Sequence, residues 1–67
     1  MIGEIELIIK DLDYGLIKVK GKAKKVTFNA KCLKDTTLDF LYPGQYVEFD
    51  MVYSENNLSA INVRVSK

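Results

Sequence analysis

The sequence has 67 residues, of which 48% are hydrophobic, and a formal net charge of +1. A chain this short predicts a single domain over residues 1–67, and its apolar content excludes a disordered tail. No stretch approaches the roughly 18 apolar residues of a membrane helix, and no basic segment leads into an apolar one at the start, so we expect neither a membrane span nor a signal peptide. With no histidine and one cysteine, Cys32, the chain lacks ligands for a nitrogen- or sulfur-rich metal site and cannot form an internal disulfide. We therefore expect no cofactor and a cytoplasmic location.

Charge is unevenly distributed along the chain. Residues 18–34 carry seven lysines and no acid, whereas the rest has three basic and nine acidic residues, giving +7 in the middle and −6 in the flanks. Such asymmetry indicates an anionic partner. Lysines also keep edge strands from pairing with one another, and on charge alone the two interpretations carry equal weight.

The first half of the chain predicts three strands. Ile5, Leu7 and Ile9 alternate with residues 4, 6 and 8, which predicts a first strand with one mostly apolar face, and a polar turn follows at 11–13. Residues 14–20 predict the second strand, in which Gly15 permits a bulge or a close backbone approach. Its inner side chains are Ile17 and Val19, and its other face carries Tyr14, Leu16, Lys18 and Lys20.

A hairpin connection over 21–24 leads to the third strand, residues 25–30. Val26, Phe28 and Ala30 are predicted on one face of that strand, with Thr27 and Asn29 on the other. The long connection over 31–43 is predicted to pack onto the barrel through its leucines and to hold a short helical turn. Proline followed by glycine predicts a tight turn at 42–45.

The second half predicts two further strands, at 46–52 and 58–65, joined by a hairpin at 54–57 where asparagine tolerates left-handed geometry. The side chains predicted to point inward are Val47, Phe49 and Met51 in the fourth strand and Ile61, Val63 and Val65 in the fifth. Short strands with closely spaced turns favour closure, so we predict an all-β fold, a small five-stranded antiparallel barrel.

Several motifs resemble the cold-shock domain family over almost the full chain. Gly3 and Tyr14-Gly15-Leu16-Ile17 stand where that family has a leading glycine and its Lys-Gly-Phe-Gly-Phe-Ile type motif. Residues 26–30 occupy the place of its Val-Phe-Val-His-Phe motif, and Gly44-Gln45, Val47, Phe49, Ala60 and Asn62-Val63 match its C-terminal pattern. The resemblance implies a barrel of the OB type that binds single-stranded nucleic acid across strands one to three.

Most of the aromatic residues with which that family stacks bases are replaced here. The positions that carry rings or histidine in the family are Leu7, Tyr14, Leu16, Thr27, Asn29, Ala30 and Leu38 in this chain, so only Tyr14 keeps a ring. Glu6 and Leu12 stand at two of its lysine positions, while Lys24-Lys25 replace an acidic pair. Relative to the family pattern, positive charge is therefore absent from the first strand and present just before the third strand.

Two hypotheses follow from these residues. In the first, the chain binds single-stranded RNA or DNA weakly and with low sequence preference, using Tyr14, Leu16, Lys18, Lys20, Lys24, Lys25, Thr27 and Asn29. In the second, the same scaffold is a protein-interaction or homodimerisation module that uses the apolar Leu7 and Leu16. The alternative for the whole face is an ordinary solvated surface. Nothing in the sequence resembles a catalytic set, so we do not expect an enzyme.

Overall fold

Five β-strands and three short 3-10 turns make up the part of the chain, residues 1–21 and 23–66, that the computed structural model describes. The strands are β1 Ile2–Ile9, β2 Tyr14–Lys18, β3 Val26–Asn29, β4 Tyr46–Ser54 and β5 Asn57–Val65. The 3-10 turns lie at Lys10–Leu12, Ala30–Cys32 and Leu38–Phe40. Lys22, in the predicted hairpin and lysine cluster, and Lys67 at the end of the predicted domain lie outside the described residues.

The strands form a closed barrel in the order β1-β2-β3-β5-β4, with β4 pairing back onto β1. The predicted all-β, five-stranded barrel of the OB type is confirmed. Four of the pairings are antiparallel, and the fifth, between β3 and β5, is parallel and consists of the single pair Thr27 and Ser59. Closure of the barrel therefore depends least on backbone pairing at the β3–β5 seam.

A bulge in β1 changes which side chains reach the interior. Ile5 lies opposite Ile17, but the next paired residue, Leu7, lies opposite Leu16, so Glu6 is an extra residue in β1. Ile5 is buried and Ile8 packs against the core, whereas Leu7 is 43% exposed. The prediction of one apolar face running through Ile5, Leu7 and Ile9 is wrong beyond Glu6, because an extra residue reverses the alternation.

A second bulge, in β5, likewise changes which side chains face the interior. The register shifts where Glu48 pairs with Arg64 and Asp50 pairs with Ile61, and Asn62 adopts a left-handed φ of 53° at that point. Ala60 and Val63 are fully buried, whereas Ile61 and Val65 are 39% and 37% exposed. The predicted inward position of Ile61 is therefore wrong, while that of Val63 is correct. Val65 pairs with the buried Val47 and so lies on the inward side as predicted, although it is partly exposed at the end of β5.

The core fills the barrel with aliphatic side chains and two phenylalanines. Its buried members are Ile5, Ile17, Val19, Val26, Phe28, Leu38, Leu41, Val47, Phe49, Ala60 and Val63. Leu38 and Leu41 come from the long connection, which packs onto the barrel as predicted. That connection ends in the predicted turn, where the Gln45 amide donates to the Tyr42 carbonyl (3.3 Å) and Gly44 has a φ of 95°. In the described residues, no helix has the length and apolar character to cross a membrane.

Candidate nucleic-acid interface

The outer surface of β1, β2 and β3 carries two rows of side chains across the sheet, which contain predicted site residues and also Ile9, a residue that the sequence analysis did not assign to the site. In one row Leu7 lies opposite Leu16, which lies opposite Thr27, and in the other Ile9 lies opposite Tyr14, which lies opposite Asn29. We call these six residues, Leu7, Ile9, Tyr14, Leu16, Thr27 and Asn29, the β1–β3 face. The bulge at Glu6 brings Leu7 into this face.

Gly15 allows the three strands of this face to lie close together. A Cβ atom at Gly15 would stand 2.7 Å from the Phe28 ring and 2.9 Å from the Leu7 carbonyl oxygen, closer than van der Waals contact permits. The predicted close backbone approach at Gly15 is confirmed. Because Gly15 has no side chain, β1 can approach β2 and the Phe28 ring can pack beneath it.

The polar groups of the face are partly used within the protein. Asn29 accepts a hydrogen bond from the Lys31 amide at its Oδ1 atom (2.9 Å), so its Nδ2 group remains as a donor. The Thr27 hydroxyl donates to the Leu58 carbonyl (3.4 Å), which leaves its oxygen free to accept. Tyr14 and Leu16 are half-buried, and Asn29 is exposed. The face therefore offers one ring, one amide donor and one hydroxyl acceptor.

The lysines predicted to meet phosphates have different surroundings. Lys20 and Lys24 are both exposed within the β2–β3 connection. Lys18 lies opposite Glu4 on β1 and shares a cleft with Glu4 and Glu6. The Lys25 ammonium is ion-paired with both carboxylate oxygens of Glu6. Two of the predicted basic contacts thus lie beside carboxylates.

The role of Glu6 was not apparent from the sequence. Glu6 and Lys25 are 19 positions apart, and only the barrel brings β1 and the start of β3 to the two sides of β2. The acid in strand one was visible as a departure from the cold-shock pattern, but its partner was not. Such an exposed pair contributes about 0–1 kcal/mol to stability, so a phosphate could compete for Lys25.

A groove extends from the β1–β3 face into the seam between β3 and β5. Tyr14, Thr27 and Asn29 line it together with two residues that sequence reasoning did not assign, Cys32 and Ser59. Cys32 packs at the margin of the core and is half-buried, although a fully buried thiol is the usual expectation for a free cysteine. No group of three or more histidine, cysteine, aspartate or glutamate side chains in residues 1–21 and 23–66 could hold a metal ion.

No protein-family model matches this sequence, and comparison with curated proteins finds no match. The cold-shock resemblance thus stays a prediction that rests on the order and spacing of its motifs.

Proposed function

We propose that this protein binds single-stranded RNA or DNA weakly and with low sequence preference on the β1–β3 face. The observation that carries the proposal is the row formed by Tyr14 and Asn29, a ring beside a free amide donor, on a strand pair whose opposite end carries the exposed Lys20 and Lys24 in the β2–β3 connection. Bases stack on aromatic rings regardless of sequence, and lysines meet the phosphates.

The fold adds general support to this proposal. In OB-type barrels, strands two and three and the adjoining loops form a frequent surface for oligonucleotides. That support is an analogy between folds, and an OB-type barrel alone does not specify a ligand. The low affinity follows from the residues themselves. The face has one aromatic ring where the cold-shock pattern has several, and the Lys25 ammonium is already paired with Glu6.

The test is a titration of unlabelled oligo-pyrimidine and oligo-purine at low and moderate salt, followed through backbone amide shifts. We expect shifts at Tyr14, Lys18 and Asn29 at low salt that weaken as salt rises. If these amides do not move at low salt, the proposal is wrong.

Replacing the ring separates stacking from electrostatic attraction. Tyr14→Ala should lower affinity by about 1–3 kcal/mol, the contribution of one stacked base. Tyr53→Ala is the matched control, because Tyr53 is 68% exposed near the end of β4 and is not part of the β1–β3 face. If the two variants bind with equal affinity, Tyr14 does not stack on a base.

A second candidate is self-association or binding of a protein partner through Leu7 and Leu16. It is favoured by one observation, that Leu7 is 43% exposed directly opposite Leu16, so that two aliphatic side chains adjoin on the sheet surface. Sedimentation velocity over a range of protein concentrations distinguishes the candidates. Self-association predicts a mass that rises with concentration and is lost in Leu7→Ser but kept in Leu12→Ser, a control that changes an exposed leucine outside the face.

A further inference from the structure

The seam between β3 and β5 is open along part of its length. Among the described residues, the backbones of the two segments pair at Thr27 and Ser59 and next at the isolated bridge between Leu33 and Val63. Between these points the 3-10 turn Ala30–Cys32 leaves the line of β3, while β5 continues to its bulge at Asn62. The result is a groove of about 160 Å³ in the barrel wall, which we call the seam groove.

The seam groove has an apolar base and a polar rim. Phe28 and Ala60, both buried core residues, line it from below. Tyr14 of β2 also lines it, beside its β3 partner Asn29. The volume corresponds to roughly five water molecules, which suits one flat ring.

The rim presents hydrogen-bonding groups that the fold leaves free. The Asn29 Nδ2 group and the Ser59 hydroxyl make no hydrogen bond to another residue within the described part of the chain, and the Thr27 oxygen can still accept one. A flat ligand with donors and acceptors on its edge, stacked against an aromatic ring, matches this arrangement. An unpaired nucleobase has that chemistry.

We propose that the seam groove takes up one unpaired base of the bound strand, with Ser59 as a base-contacting residue on β5. The inference rests on the proposed function and extends it, since it directs the strand from the β1–β3 face across β3 to the seam. Tyr14 stacks on the base, while Asn29 and Ser59 bind its edge.

Cys32 provides a native probe, because it lines the same groove. The rate of Cys32 alkylation by iodoacetamide is measured with increasing amounts of a short mixed-sequence single-stranded oligonucleotide at low salt. We expect the rate to fall in proportion to the fraction of protein bound. The control is Cys32→Ser combined with Ser54→Cys, which moves the only thiol to the exposed β4–β5 hairpin, where no protection is expected.

Affinity gives a second readout. Ser59→Ala should weaken binding about twofold to tenfold, the effect of one hydrogen bond, and Ser54→Ala should leave it unchanged. Amide spectra of both variants verify that the barrel is intact.

The failures of the two proposals can be told apart. Suppose that the oligonucleotide shifts the Tyr14 amide but Cys32 is alkylated as fast as in the free protein. Base binding in the seam groove would then be wrong, while the proposed function would stand. Unchanged affinity of Ser59→Ala would also overturn base binding in the seam groove. If no oligonucleotide binds at low salt, both proposals fall together.

Discussion

The ion pair between Glu6 and Lys25 spans β2 at the edge of the β1–β3 face. Both side chains are partly exposed, with 33% of Glu6 and 48% of Lys25 accessible, so water screens their attraction. A phosphate approaching Lys25 has to displace one carboxylate and meets the repulsion of its charge. Glu6 therefore lowers the affinity of this face for any polyanion.

Removing this charge tests that role. Glu6→Gln should bind single-stranded oligonucleotides more tightly, by up to about fivefold at low salt, because it frees Lys25 and removes a negative charge. Fluorescence anisotropy with a labelled oligonucleotide measures the change. Glu55→Gln removes an equal charge from the β4–β5 hairpin and should have a smaller effect. Unchanged or weaker binding of Glu6→Gln would contradict the proposed position of the phosphates.

The strands themselves were largely predictable from the sequence, because an alternating apolar pattern has the period of a strand wherever one face is buried. The turns were predictable for a similarly local reason. Gly44 and Asn56 both adopt the left-handed φ values for which these residue types are suited. Local chemistry therefore accounts for which segments form strands and turns, but not for every boundary, since β2 ends at Lys18 and not at the predicted residue 20, and β3 covers only Val26–Asn29 of the predicted 25–30.

Bulges were not predictable from alternation, since one extra residue reverses the faces of everything that follows it. Leu7 is exposed because it follows the extra residue Glu6 in β1. Ile61 is exposed because the bulge at Asn62 separates it from the buried Val63, with which simple alternation would have placed it. The candidate site shows the same limit. The β2–β3 part of the face follows from strand pairing, whereas the seam groove and the Glu6–Lys25 pair depend on how distant strands close the barrel.

The β5 bulge depends on a residue that accepts a left-handed backbone. Asn62 has a φ of 53°, its Nδ2 group donates to Asp50 Oδ2 (3.0 Å), and its carbonyl accepts from Arg64 (3.0 Å). We expect the free energy of unfolding, measured by urea denaturation, to be lower for Asn62→Val than for Asn62→Gly by at least about 1 kcal/mol. The reason is that a β-branched side chain clashes in this conformation. Both variants lose the bond to Asp50, so their difference isolates the backbone. Equal stabilities would show that the bulge tolerates any residue.

At the scale of the whole molecule, charge is divided between regions of the barrel surface. Of the described lysines among residues 18–34, Lys18 lies on β2 and the others lie in the segments before and after β3, while acids such as Glu4 and Glu48 lie on the paired strands β1 and β4. Opposite charges on different regions orient a polyanion before contact, even though the net charge is only +1. The β4 side should repel the strand that the β2–β3 side attracts.

This division sets the salt dependence of binding. If Lys18, Lys20, Lys24 and Lys25 all meet phosphates, log Kd should rise with log salt concentration with a slope near 3, since each contact on a single strand contributes about 0.7. The double variant Lys20→Gln/Lys24→Gln should lower that slope by about 1.4. Lys10→Gln is the matched control, because Lys10 is paired with Asp39 (3.5 Å) beyond the end of β1. Measurable binding with a slope near zero would mean that stacking and hydrogen bonds hold the strand without the lysines, and the positive region would then serve solubility alone.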